Sequence, residues 1–188
     1  MNSPTAPAAR VLVLCADGFE EIELVTVVDV LRRAGLAVLL ASPTGGSLRG
    51  AHDLRVDSEA RWRELRGGDF AALVLPGGME NARTLERDPD AQRLLREGDA
   101  AGRLLAAICA APVALQAAGV LRGAACTSHP AVQAELPAAS YRTARVVQDG
   151  RIVTSRGPGT ALEFALALVK ALCGNEQAAA VAAPMLVA

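Results

Sequence analysis

Apolar residues in this chain gather in short, nearly unbroken runs. Arg10–Cys15 (RVLVLC), Ala37–Ala41 (AVLLA), Ala71–Leu75 (AALVL) and Leu104–Cys109 (LLAAIC) lack the alternation of a half-exposed strand. Their pattern predicts strands buried on both faces. Helical periodicity fills the spaces between them. Glu20–Ala34 repeats its apolar positions every three to four residues and stops at Gly35, a residue suited to the position past a helix end. Asp88-Pro89 supplies an N-cap and a first-turn proline for a helix to about Ala101. Ala111–Ala118 is a further helix, ending at Gly119. Thr160-Ala161-Leu162-Glu163 matches a capping box for a helix running to Cys173. Smaller signals predict a strand at Leu54–Asp57, a short helix at Trp62–Leu65 and a short strand at Ala124–Thr127. Val146–Gln148 and Arg151–Thr154 form a hairpin about Asp149-Gly150, and Pro43–Gly50 is a turn-rich loop. Strands alternating with helices predict an α/β fold, with a mostly parallel sheet covered on both faces. In such sheets the ligand crevice lies beyond the carboxyl ends of the strands. That rule selects the loops after Cys15 and Leu75, the turn at Cys109, and Ser155–Gly159.

Composition narrows the partners. The 188 residues, 52% hydrophobic and 21% charged, suit one packed domain, expected over 10–188 after a flexible stretch 1–9. A net charge of −1 gives no basic field for a nucleic acid or an anionic membrane. No apolar run reaches the roughly 18 residues of a membrane span, and the start lacks the basic and apolar regions of a signal peptide. A cytoplasmic protein is expected. The four cysteines, Cys15, Cys109, Cys126 and Cys173, stand far apart without metal-ligand spacing, so no metal site is expected.

Each cysteine is then read singly. Cys109 closes a strand and is followed by Ala110, Ala111 and Pro112, a sharp strand-to-helix turn like a hydrolase nucleophile elbow. A helix start favours thiolate and depresses a thiol pKa. From its local sequence Cys109 reads equally well as a reactive thiol or as small core filler. Cys15, Cys126 and Cys173 read as core. Glu23 falls among Val27, Val30 and Ala34 on the apolar arc of its helix, the wrong face for a solvated acid. Burial there raises its pKa, leaving a neutral carboxyl able to donate a hydrogen bond to a thiolate. Glu20 and Glu21 complement the helix dipole. Gly77-Gly78 follows a buried strand at the same edge, and the amides of Gly78 and Ala110 are candidate oxyanion donors. His129 is either a general base or a structural histidine, and His52 is expected to be exposed. Val25 and Val28 interrupt the polar face of the first helix, as a partner contact would.

Taken together, Cys109 in AAICAAP, the segment Gly18–Glu23, LPGG at Leu75–Gly78 and SRGPGT at Ser155–Thr160 resemble the ThiJ/PfpI superfamily. The branch is that of the parkinsonism-associated deglycase and its bacterial YajL-type relatives. The resemblance runs from Val11 to Ala183-Pro184. It implies a flavodoxin-like α/β sandwich that forms homodimers. It further implies Cys109 as nucleophile, Glu23 as protonated partner and His129 as the nearby histidine. Arg33, Arg49, Arg156 and Pro184 are placed by it near the pocket or dimer contact. The implied activity is that of a cofactor-independent glyoxalase or deglycase acting on methylglyoxal, glyoxal or their adducts. The alternative it implies is an oxidative-stress sensor or redox-regulated chaperone that oxidises Cys109 to sulfinic acid. Ala110 stands where the protease branch has a histidine, so its Cys–His pair is missing.

Overall fold

The computed structural model describes residues 9–187; the expected flexible stretch lies outside them except for Ala9. A seven-stranded sheet forms the middle layer. Its strands are β1 (Arg10–Leu14), β2 (Ala37–Ser42), β5 (Ala60–Arg61), β6 (Ala72–Leu75), β7 (Leu104–Ile108), β10 (Val146–Asp149) and β11 (Ile152–Ser155), in the order β10-β11-β7-β6-β1-β2-β5. All neighbours are parallel except the β10–β11 hairpin. The unbroken apolar runs are explained by two cores. Leu12, Leu14, Leu73, Leu75 and Leu105 point to one face, and Val11, Val13, Val74 and Ile108 to the other. This is the expected flavodoxin-like α/β arrangement.

The first face is covered by α2 (Met79–Arg87), α3 (Pro89–Ala100) and α4 (Pro112–Ala117). The second is covered by α1 (Glu21–Arg33), α5 (Ala161–Cys173) and α6 (Asn175–Ala182). Asp88 caps α3 as its side chain predicts, accepting from the Asp90 and Ala91 amides at 2.9 Å each. Two small sheets lie outside the main one: β3 (Gly46–Arg49) with β4 (Arg55–Ser58), antiparallel, and β8 (Ala125–Cys126) with β9 (Ser140–Tyr141), parallel.

Several expectations are corrected. The turn-rich loop 43–50 contains β3, which pairs with the strand expected at Leu54–Asp57. The helices α2 and α6 lie in segments for which the sequence predicts no element; their buried apolar residues are few, Ala82 and Leu85 on α2 and Val181 on α6. Thr160 makes no capping box with Glu163. Its hydroxyl turns back to Gly157 and Ser155, and Glu163 pairs with Arg145. Cys15 and Cys126 are buried as expected, whereas Cys173 is exposed near the end of α5.

Candidate active site

The carboxyl ends of β1, β6, β7 and β11 bring the sequence candidates to one edge. Cys109 follows β7 directly and has φ 64, a left-handed conformation uncommon for a residue with a side chain. Such a residue costs about 1–3 kcal/mol and persists where its surroundings enforce it. Here the Cys109 N–H donates to the Ser155 carbonyl at 3.0 Å, and its own carbonyl accepts from the His129 N–H at 2.8 Å. The elbow is thus clamped from β11 on one side and from the His129 segment on the other. The side chain is half-buried.

Glu23, in the first turn of α1, is completely buried. Its Oε2 accepts from the Gly77 N–H at 2.7 Å, and its Oε1 has no partner. Gly77 separates carboxyl and sulfur so closely that an added Cβ would lie 2.5 Å from both Cys109 Cβ and Glu23 Oε2. Only glycine fits. At Gly78, with φ 90, an added Cβ would lie 2.1 Å from the Gly18 carbonyl oxygen.

Burial, the largest cause, raises the Glu23 carboxyl to about 7; the Gly77 N–H and Cys109 pull it down, and the Glu20 charge adds to the rise. The expected acidified thiol meets opposing effects in this site. Burial first, and then the Glu23 charge, push Cys109 up to about 12, while the Gly78 and Ala110 N–H groups act as donors that pull it down. The helix behind it, α4, has six residues, too few for the strong terminal dipole the sequence pattern promised. The Glu23 contribution to that rise belongs to the ionised carboxylate and disappears when the carboxyl is protonated. The orphan Oε1 bears on which form is present. An ionised carboxylate has only the weak Cys109 S–H to receive, whereas a protonated one has a hydrogen of its own to give to the sulfur.

The other candidates spread out. His129 adjoins Cys109 through its backbone, and its exposed ring accepts the Ala131 N–H on Nδ1 at 3.2 Å. A neutral ring so engaged carries its proton on Nε2 and presents a donor. Arg33 is paired with Asp29 on the exposed face of α1, at 2.7 Å. Arg49 pairs with Asp53 and lines a cavity of about 430 Å³ with Asp17, Gly18 and Glu80, next to the Gly77-Gly78 turn. Arg156 donates to the Thr143 carbonyl at 3.0 Å, and Pro184 is exposed near the C-terminus. His52 is exposed as expected and binds Glu21 at 2.8 Å. Sequence reasoning missed Asn81, a fully buried amide on α2 that touches the Gly77-Gly78 turn.

The chain and its fold resemble known proteins. The family model described as the DJ-1/PfpI family matches residues 9–171. The Parkinson disease protein 7 homolog of Danio rerio is 39% identical over 182 residues, covering 94% of this chain and 96% of that protein. A protein named as a deglycase from Pyrococcus abyssi is 36% identical over 165 residues, covering 87% of this chain and 99% of its own. The crystal structure of Drosophila melanogaster DJ-1beta superposes with a TM-score of 0.93 at 38% identity, over 96% of this chain and 99% of that one. Toxoplasma gondii DJ-1, in a structure described as oxidized, gives a TM-score of 0.92 at 36% identity, over 96% of this chain and 100% of that one. By family model, by sequence and by fold, the chain belongs to the DJ-1/PfpI family.

Proposed function

We propose that the chain is a cofactor-independent glyoxalase or deglycase, with Cys109 as nucleophile and Glu23 as proton carrier. The observation that carries this reading is the clamped, left-handed Cys109 beside a buried carboxyl whose pKa is raised to about 7. A carboxyl near that value can both give and take a proton at neutral pH. The deglycase name of the archaeal relative supports the reaction class.

The sulfur of Cys109 adds to the aldehyde carbon of a 2-oxoaldehyde such as methylglyoxal. A C–S bond forms, the carbonyl electron pair moves to oxygen, and that oxygen takes the Glu23 proton to give a hemithioacetal. The Gly78 and Ala110 amides stabilise the developing oxyanion. The Glu23 carboxylate then removes the hydrogen on that carbon, and a proton returns to the neighbouring carbon through an enediol. His129 contributes its Nε2–H as a donor at the mouth. The resulting thioester of a 2-hydroxy acid is cleaved by water, which breaks the C–S bond and restores the thiol. One carbon is oxidised as its neighbour is reduced, so no external oxidant enters. Adducts of the same dicarbonyls, on proteins or small molecules, follow this path with release of the amine.

Purified protein is expected to convert methylglyoxal to lactate, and Cys109→Ser to abolish the conversion. Undiminished turnover in that variant refutes the nucleophile.

A second reading, redox sensing linked to chaperone activity, is favoured by the oxidized state named for the Toxoplasma gondii relative. Peroxide would convert the Cys109 thiolate to sulfenate and then sulfinate, releasing one water at each step. Glu23 and the two amides are the donors for the added oxygens. We also propose a homodimer formed through the exposed Ile22 and Val25 of α1 and the neighbouring Leu54 segment. Beside them, Leu24, Val28, Leu40 and Val56 line a groove of about 280 Å³ that contains no nucleophile. A cytoplasmic location fits four free thiols. No helix among the described residues is long and apolar enough to cross a membrane.

A further inference from the structure

The first turn of α2 carries a polar group that the chemistry above does not use. Asn81 is fully buried on a helix whose other inward residues are Ala82 and Leu85. Burying an amide is unfavourable unless its donors and acceptor are satisfied. Here they are used on one structure. The Oδ1 accepts from the Ala16 N–H at 2.7 Å, just past the end of β1. The Nδ2 donates to the Pro76 carbonyl at 2.7 Å and to the Gly77 carbonyl at 3.1 Å. The Gly77 carbonyl also accepts from the Glu20 N–H at 3.1 Å.

Those two carbonyls belong to the peptide planes that serve the site. A trans peptide is planar, with its C=O and N–H pointing in opposite directions. Holding the Pro76 carbonyl therefore aims the Gly77 N–H, which is the hydrogen bond received by Glu23 Oε2. Holding the Gly77 carbonyl aims the Gly78 N–H, a donor to the Cys109 sulfur. Two consecutive glycines have wide backbone freedom and would not hold these planes alone.

We propose that Asn81 is a positioning residue: by gripping the Pro76 and Gly77 carbonyls it orients the Gly77 amide toward Glu23 and the Gly78 amide toward Cys109, and it ties both to the end of β1. It touches neither sulfur nor carboxyl. The inference rests on Cys109 being the working sulfur. It concerns the titration of the pair, which is measured without substrate, so its failure is separable from failure of the proposed activity.

The test compares wild type with Asn81→Leu, which keeps the branched outline, is somewhat bulkier and removes every polar contact, and Asn81→Ser, which is smaller and leaves room for water. Both are neutral, so no new charge confuses the titration. The pH dependence of Cys109 alkylation is followed by mass spectrometry of its peptide, and the Glu23 carboxyl by infrared difference spectra. Loss of the two oriented donors is expected to raise the Cys109 pKa by about one unit, an about tenfold slower alkylation at a fixed pH below it. The protonated-carboxyl band is expected to persist to higher pH. A purely structural role would lower the melting temperature and leave both titrations where they were, and that result overturns the proposal. If Asn81→Leu does not fold, Asn81→Ser decides by the same two readings.

Discussion

Replacing Glu23 tests which member of the pair holds the proton. Two arrangements with one shared proton are possible: carboxylic acid with thiolate, or carboxylate with thiol. The second explains the rise of Cys109 to about 12, since the Glu23 charge is its second-largest cause. The first leaves the negative charge on the atom that receives the Gly78 and Ala110 donors. Two coupled groups lose their protons as a pair, so substitution is needed to assign them. A hydrogen bond to a charged group contributes about 1.5–3 kcal/mol, equivalent to roughly 1–2 pKa units. With the proton on the acid, Glu23→Leu deletes that donor and raises the Cys109 pKa by this amount. Glu23→Gln keeps an N–H donor and an acceptor for the Gly77 amide, so its rise is smaller. With the proton on sulfur, both variants remove a like charge and the Cys109 pKa falls. Ultraviolet thiolate absorbance against pH, in a background with the other three cysteines replaced by serine or alanine, reads the sign directly. A fall in both variants refutes the acid–thiolate pair and with it the mechanism proposed above.

Three further outcomes follow from the same geometry. The Glu23 pKa is raised from 4.5 to about 7, so its favourable contribution is complete below 4.5 and is lost as pH rises through about 7. Urea unfolding at pH 5 and pH 8 should show wild type losing on the order of 3 kcal/mol relative to Glu23→Gln across that window; parallel curves would exclude the raised carboxyl. Gly77→Ala places a methyl between carboxyl and sulfur. It should cost about 1–3 kcal/mol and uncouple the two titrations, and an unchanged Cys109 pH profile would show that the turn does not bridge them. Under mild peroxide, Cys109 should gain two oxygens before buried Cys15 and Cys126 gain any, as read by peptide mass spectrometry; earlier oxidation of either buried thiol counts against the redox reading.

The sheet was legible because strands buried on both faces must be apolar at every position, and β1, β2, β6 and β7 carry that signature. The carboxyl-edge rule then brought Cys109, Gly77-Gly78 and Ser155 together from sequence order alone. Glu23 was legible for the opposite reason, as an acid in an apolar arc. The helix α2 was not, because its inward side holds only Ala82 and Leu85 beside a polar Asn81. Asn81 was invisible for the same cause. An asparagine three residues past Gly78, in a segment with no predicted helix, carries no burial signal until that helix is known. β3 was hidden by glycines and by its place in a two-stranded outer sheet that needs no apolar run.

The thiol's environment was the least legible part, because it depends on distances the sequence cannot encode. A strand-to-helix turn suggested an acidified sulfur, yet α4 is short and the dominant effect is desolvation. The site answers that desolvation with local donors. The Gly78 and Ala110 amides face the sulfur, and an adjacent carboxyl can keep its own proton. Each of these depends on a backbone conformation enforced from elsewhere: Cys109 at positive φ is held by Ser155 and His129, and the Gly77-Gly78 turn by Asn81 and Glu20. Reactivity at this edge therefore depends on how firmly the amides are held as well as on which side chains are present. Substitutions that loosen either clamp should slow Cys109 alkylation even when they touch neither Cys109 nor Glu23.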